Sequence, residues 1–435
     1  MKTIHPQAAG IDLGTRQVFV AVAGQPVRHY ATYTEDFAEV VRYLGQHQIT
    51  TVAMEATGVY WVVLHDMLEA AGMEVCVVNG AHARNVPGRN KSDVSDCQWL
   101  QQLHSCGLLS KSFVPTEQIR VLRSYRRLRE DYIERAADSV RHMQKACDLM
   151  NVKLHTVVSQ LHGASGLRIV DAILAGERNS FKLTALCDDQ ILKTKSAAVE
   201  KSLHGNWKPE HLFALGEARR TWQFYQDRIA ACDREIDLQL QKMGGDKPEP
   251  PPREGKVKPI RHNAPQIEDL DLKLRTLTGG IDPTLIPGFT ARTWLQLVAE
   301  TGLDMSLWPT AGHYTSWLGL SPRTHQSGKM RKNKGGKKKT QAGQIFRLQA
   351  QSIGRSKHPA LGGFYRKLAA RKGAAVAIVA TARKLAVLYY QLMRYGRTYV
   401  EQGLAAYEKA WEASQRQRLK KQAARFGFIL IPQPA

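Results

Sequence analysis

Four carboxylates near the start of the chain have the types and spacing to hold a divalent cation. They are Asp12 in AGIDLGT, Glu55 in VAMEATGVYW, and Asp93 and Asp96 in KSDVSDCQWL. Magnesium takes hard oxygen ligands, and phosphoryl transfer at such an ion needs several carboxylates converging on one point. Asp12 ends an apolar run. Glu55 directly follows Val-Ala-Met, a setting in which a carboxylate persists only with a partner or a metal. Asp93 and Asp96, three residues apart, share one face of a first helical turn, where the helix dipole suits anions. Taken singly, each acid has a plainer reading: Asp12 as a turn residue, Glu55 as a helix N-terminal acid, Ser92 or Asp93 as an N-cap. Their order along the chain sets the four apart from these readings.

The elements that must position them can be read from hydrophobic periodicity. Strands are expected at Ala9–Leu13, Gln17–Ala23 and near Val27–Tyr33, with a turn at Gly14–Thr15. A helix follows at Glu35–Gln46, then a strand at Thr51–Glu55, a helix at Tyr60–Ala71, a strand at Met73–Val78 and a helix at Ser92–Cys106. The order βββαβαβα starts with hairpins and continues with crossovers. It is the order of an α/β, ribonuclease-H-like domain over residues 1–115. Such an order places one acid in the first strand, one at the end of the fourth and two on the last helix.

Residues 116–243 hold two long polar helical stretches, about Glu117–Met150 and Glu217–Met243. Their apolar repeats predict a coiled coil, within one chain or between chains. The segment GGDKPEPPPREGKVKP is too rich in Pro and Gly for helix or strand, so residues 244–269 are expected to be a linker. A second, mainly α unit is expected at 270–396, and a basic helical tail at 397–435.

The second unit carries its own chemistry. LIPGFTARTWLQLVAETG reads as a Pro-Gly turn opening a helix, either a phosphate-facing turn like those of helix-hairpin-helix elements or a plain helix start. Downstream, Ser327 stands in a Gln-Ser-Gly turn between His325 and Lys329, before a Lys-rich run. A serine amid cations suits attack on phosphate, with His325 placed to accept a proton. Most Ser-Gly pairs are only turns, however, and a Lys run can be only a phosphate clamp. Arg323, Lys329, Arg331 and Lys332 are the candidate phosphate contacts.

Charge distribution points the same way. The net charge is +23, and residues 321–435 hold 25 Lys and Arg against three acids, Glu401, Glu408 and Glu412. No Asp or Glu occurs between Met305 and Val400, which favours a polyanionic partner over an ordinary solvated face. Six cysteines without CxxC pairing, and a start lacking an apolar signal region, predict reduced thiols, no zinc site and a cytoplasmic location. The apolar stretch Ala374–Tyr395 is broken by Arg383, Lys384 and Arg394, so a core or interface helix is expected and no membrane partner. GIDLGT also resembles the first phosphate loop of the sugar-kinase and actin-like ATPases. That reading needs a second Gly-rich loop and an adenosine motif, and neither is found.

Together these residues resemble the DEDD insertion-sequence transposases, the IS one-ten family of RNA-guided bridge recombinases. GIDLG, MEATGVYW and KSDVSD are similar to the family's four-acid signature. IPGFT, LGLSPRTHQSG and HPALGGFYRKLAARKGAAVAIVATARKLA are similar to its second domain. The resemblance implies that the first domain is Holliday-junction-resolvase-like, with a magnesium site at Asp12, Glu55, Asp93 and Asp96, and Ser327 as a nucleophile forming a covalent link to DNA. Ser321 is the less favoured neighbour. It also implies DNA partners at element ends and target, a structured noncoding guide RNA, and a homo-oligomer of dimers. The chain departs from the family pattern at Lys329, where a second Gly is common, at Cys97, where Ala is common, and in a longer spacer and tail. The rival readings are a structure-specific nuclease using water and a binding protein with a degenerate nuclease domain.

Overall fold

The computed structural model describes residues 2–56, 58–79, 92–253, 256–322, 324–327, 330–333, 340–356, 358–396, 409, 412–413 and 416–429. The chain divides into two compact units, Met1–Val114 and Pro115–Ala435.

Alternating and continuous apolar runs in the first unit form a five-stranded mixed sheet. Its strands are β1 (Ala8–Leu13), β2 (Gln17–Val22), β3 (Arg28–Ala31), β4 (Thr51–Glu55) and β5 (Glu74–Val78), in the order β3-β2-β1-β4-β5. The three hairpin strands pair antiparallel, whereas β1 and β4, and β4 and β5, run parallel. Helices α1 (Thr34–Gln46) and α2 (Trp61–Ala70) supply Phe37, Val40, Leu44, Leu64 and Leu68 to a core with Ile11, Leu13, Val52, Met54, Val75 and Val77. Successive strand residues point to opposite faces, so Ala53, Cys76 and Val78 face the other way. There they meet Leu100 of α3 (Asp93–Ser105). Each fully buried aliphatic side chain contributes about 1.5–3 kcal/mol.

The second unit is built on two long helices, α4 (Glu117–Leu149) and α9 (Pro209–Gly244), packed along one another within the chain. A buried ion pair joins them: Arg129 Nε lies 2.5 Å from Asp233 Oδ1. α9 starts eight residues earlier than its charge pattern predicts, because Pro209 suits a first helical position. Between the long helices lie α5 (Leu154–Val157), α6 (Ala164–Leu174), α7 (Ser180–Thr184) and α8 (Asp189–Ser202), which sequence periodicity did not reveal. They enclose a core of Met143, Val152, Leu161, Ile169, Leu183, Leu203 and Leu215.

The described part of 245–269 has neither helix nor strand, yet it is pinned. Arg253 reaches Asp271 at 2.6 Å and Asp282 at 3.3 Å, and the Gln266 N–H donates to Asp233 at 3.0 Å. Helices α10 (Leu270–Leu277), α11 (Ala291–Thr301) and α12 (Ala311–Trp317) follow. A hairpin of β6 (Thr324–Ser327) and β7 (Met330–Asn333) then leads to α13 (Gln341–Arg355), α14 (Pro359–Lys372) and α15 (Ala374–Tyr395). Phe289, Tyr314, Phe346 and Tyr389 form a buried aromatic cluster with centroids about 6 Å apart. α15 is long and apolar enough to cross a membrane by length and composition. Its Ala377, Thr381, Leu385 and Tyr389 are buried in this unit's core, the role that its three cations predicted.

All six cysteines are free. Five are buried, and Cys106, the C-cap of α3, is half-buried.

Candidate active site

The parallel register of β1 and β4 pairs Ile11 with Met54, so the next residues, Asp12 near the end of β1 and Glu55 at the end of β4, lie side by side on neighbouring strands. Ile11 and Met54 point into the core beneath α1 and α2, which turns Asp12 and Glu55 to the α3 face. Two positions before Asp12, Gly10 lets α3 lie directly on β1. A Cβ there would stand 2.3 Å from the Cys97 carbonyl oxygen and 2.3 Å from the Gln101 nitrogen. Gln101 adds a 3.2 Å hydrogen bond to the Ala8 carbonyl. The first turn of α3 carries Asp93 and Asp96, and Ser92 caps it by accepting from the Ser95 N–H at 3.2 Å.

The four acids share one electrostatic neighbourhood. The Asp12 carboxyl is pushed up to about 6, first by burial and then by the negative charges of Glu55, Asp96 and Asp93. Glu55 is buried, Asp12 and Asp96 are half-buried, and Asp93 is exposed. The Cys97 thiol beside them is pushed up to about 12, by burial and the charge of Asp12, so it is no nucleophile at neutral pH.

Among the described residues, the donor atoms of His65, Asp66 and Glu69 lie within 4.8 Å of one another, on α2 and the opposite sheet face. His65 Nδ1 lies 3.1 Å from Asp66 and 3.5 Å from Glu69, a local ion-pair set along one helix. Among the described residues, the four acids do not meet that mutual distance.

Ser327 is the last residue of β6 and pairs with Met330 of β7; residues 328–329, on which the expected turn falls, lie outside the described residues. Arg331 pairs with Gln326 and Lys332 with His325. Arg323 and Lys329 lie outside the described residues, as do the side chains of the hairpin and the Lys-rich run at 334–339. The Ser321 hydroxyl lies 3.2 Å from that of the buried Thr315, a structural contact. In IPGFT, Phe289 is buried in the aromatic cluster, and Thr290 caps α11 by accepting from Thr293.

One charged cluster was not visible in the sequence. Glu300 at the end of α11 meets Arg123, Arg126 and Arg127 of α4, with Arg127 bidentate at 2.9 and 2.8 Å. The partners are more than 170 residues apart, so no local pattern announces them.

Two family models match the chain. A DEDD transposase model of the IS110 type covers residues 9–151, and a model described as transposase IS116/IS110/IS902 family covers residues 284–365. The chain belongs to the IS110 family of transposases. The first match spans all four acids of this transposase, and the second spans the β6–β7 hairpin. The enzyme is thus a DNA transposase, with a mixed α/β first unit and a mostly helical second one. A search of curated proteins finds no match to the chain.

Proposed function

We propose that this transposase cuts and rejoins DNA through a covalent serine–DNA link, with Asp12, Glu55, Asp93 and Asp96 as its magnesium site and Ser327 as its nucleophile. The observation that carries the reading is the convergence of the four acids on one neighbourhood, where burial first, and then the charges of Glu55, Asp96 and Asp93, push the Asp12 pKa up to about 6. Their donors are all carboxylate oxygens with an excess of negative charge, and a hard divalent ion fits that set. When bound, it would supply positive charge beside a DNA phosphate. The sheet order β3-β2-β1-β4-β5 supports a ribonuclease-H-like assignment for residues 1–115.

In the cleavage step, the Ser327 oxygen bonds to phosphorus and the bond from phosphorus to a sugar oxygen breaks. The hydroxyl proton passes to a base, for which His325 stands two residues away. The departing sugar oxygen takes up a proton. Rejoining reverses the step, with a sugar hydroxyl attacking the phosphoserine. Arg323, Lys329, Arg331 and Lys332 provide cations for the phosphate oxygens. Residues 270–396 then form the serine domain, and 116–243 a coiled-coil segment for assembly into dimers and synaptic tetramers.

The 25 cations of residues 321–435 support a structured noncoding RNA as second partner. Base pairing with donor and target would choose the sites, while the protein holds backbone and shape. The reaction belongs in the cytoplasm.

A trapping experiment tests the serine step. Wild-type protein with element DNA and magnesium should give an adduct on denaturing gels, lost in Ser327→Ala. An adduct that persists in Ser327→Ala overturns the assignment. The location of all four acids in one unit, with Ser327 in the other, favours one second reading: a Holliday-junction-type nuclease using water. It predicts cleavage without an adduct, undiminished by Ser327→Ala.

A further inference from the structure

Residues 152–283 lie between the two family matches, and they hold a cleft of their own. It opens between α6 and α9 with a volume of about 510 Å³, the size of a small-ligand site. Ile173, Leu174 and Leu212 give it an apolar lining, and Arg178, Arg219 and Arg220 stand around it. Gly216 also lines it, from inside a 36-residue helix. Glycine weakens a helix interior, so close packing is the usual reason for one there. Packing does not require Gly216: an added Cβ would meet Leu174 Cδ2 at 3.5 Å and Arg220 Nη2 at 3.6 Å, both ordinary contacts. A longer side chain at this position would instead take up the cleft.

The arginines suit an anion. Arg219 is compensated, meeting Asp171 at 2.9 and 3.1 Å and lying over Trp222 at 5.3 Å. Arg178 is held by other means. Its Nη1 donates to the carbonyls of Ile173 at 2.5 Å and Glu177 at 2.8 Å, and its guanidinium lies over Trp207 at 4.9 Å. The Glu177 carboxylate is turned to the backbone N–H groups of Arg178 and Asn179. Arg178 thus presents a fixed positive charge to the cleft. Arg220 pairs with Glu217 on the exposed side of its own helix, a pairing that costs little to exchange for a phosphate.

Aromatic rings extend the site along α9. Phe213, in the cleft lining, is 68% exposed, and Phe224 is 54% exposed. Phe213, Arg220, Phe224 and Arg228 follow one another at intervals of seven, four and four residues, so they share one outer face. All four are exposed, and Arg228 lies over the Phe224 ring at 5.5 Å. Rings alternating with cations suit unpaired bases and their phosphates, whereas the centre of a protein interface is poor in charge. Phe213 and Phe224 stand about 16 Å apart along the helix, a reach for a short single strand.

We propose that the α6–α9 cleft binds an unpaired nucleotide of a single strand, its base over Gly216 and against Phe213, its phosphate at Arg178 and Arg220, with Phe224 and Arg228 carrying the strand onward. The site stands apart from the four acids and from Ser327. The test uses the full chain without magnesium and single strands of about twelve nucleotides carrying one 5-iodouracil, made as oligo-dT and as oligo-U. Irradiation should join the probe to residues 209–228, located by peptide mapping. Gly216→Leu fills the cleft with a better helix former, and it should lower that cross-link roughly ten-fold. Arg220→Glu, at an exposed position, tests the site by a second route: it should lower the yield several-fold and blunt its salt dependence. A cross-link with dT alone assigns the strand to DNA, one with U alone assigns it to RNA, and either supports the site. Ser327→Ala should cross-link as wild type does, so failure of the serine reading leaves this result standing. Cross-links confined to other parts of the chain overturn the proposal. So does a yield indifferent to both variants, or variants that alter self-association while cross-linking is unchanged, which would make this face a protein contact.

Discussion

Asp12 is held against its own charge. Its folded pKa, about 6, lies above the ordinary 3.8, so the sign of the linkage is fixed. The associated stability is fully present below about pH 4 and is lost as pH rises through 6. Asp12→Asn should therefore raise the stability of the metal-free protein at pH 8 by about 1–2 kcal/mol, after allowance for solvent screening. The same substitution should abolish strand cleavage. Thermal melts at pH 5 and pH 8, with and without magnesium, check the first half: wild type should gain from magnesium at pH 8, and Asp12→Asn should gain little. Gly10 makes a second, purely steric prediction. A Cβ would collide with backbone of α3, which cannot yield as a flexible side chain would. Gly10→Ala should cost about 3 kcal/mol, read by urea titration, and should weaken magnesium binding by shifting Asp93 and Asp96 away. The acids were legible in the sequence because each sits beside an apolar run or at a helix start. Their common neighbourhood was legible only through the strand order. What the sequence could not show is how closely they gather, since that depends on backbone contact at Gly10.

At the scale of elements, the sheet was readable because its strands alternate or run apolar, and observed ends lie within two residues of those expected. The β6–β7 hairpin was not, because Thr-His-Gln-Ser and Met-Arg-Lys-Asn carry no apolar alternation. Short helices α5 to α8 were missed because four to fourteen residues give little periodicity. The junction of α4 with α11 rests on Glu300, whose burial would raise its pKa. The hydrogen bond from Arg127 and the charges of Arg126, Arg127 and Arg123 hold it below the ordinary carboxylate range. Its stabilisation is present at neutral pH and lost as pH falls through that depressed value, the opposite sense to Asp12. Glu300→Gln should destabilise the second unit by about 3 kcal/mol at pH 7, because it leaves buried guanidinium groups under-compensated. Denaturant unfolding of variant and wild type measures the difference.

At the scale of the whole molecule, positive charge is concentrated at one end of the chain, and residues 416–425 alone hold five cations. Removing residues 414–435 should flatten the log–log salt dependence of nucleic-acid binding by up to about 4, if each cation meets a phosphate. Fluorescence anisotropy over a salt series reads that slope. The family matches at 9–151 and 284–365 bracket residues 152–283, which hold the short helices α5 to α8, the long α9 and the pinned segment. The cysteines carry a practical corollary. Burial pushes the thiols of Cys76, Cys97, Cys147, Cys187 and Cys232 up, leaving Cys106 as the one within reach of solvent. Cys106 closes the helix that opens with Asp93 and Asp96. A maleimide dye should therefore mark the unaltered protein at a single address, about 20 Å along that helix from the acids. Such a dye would be an optical gauge of their movement, ready in the native chain without engineering.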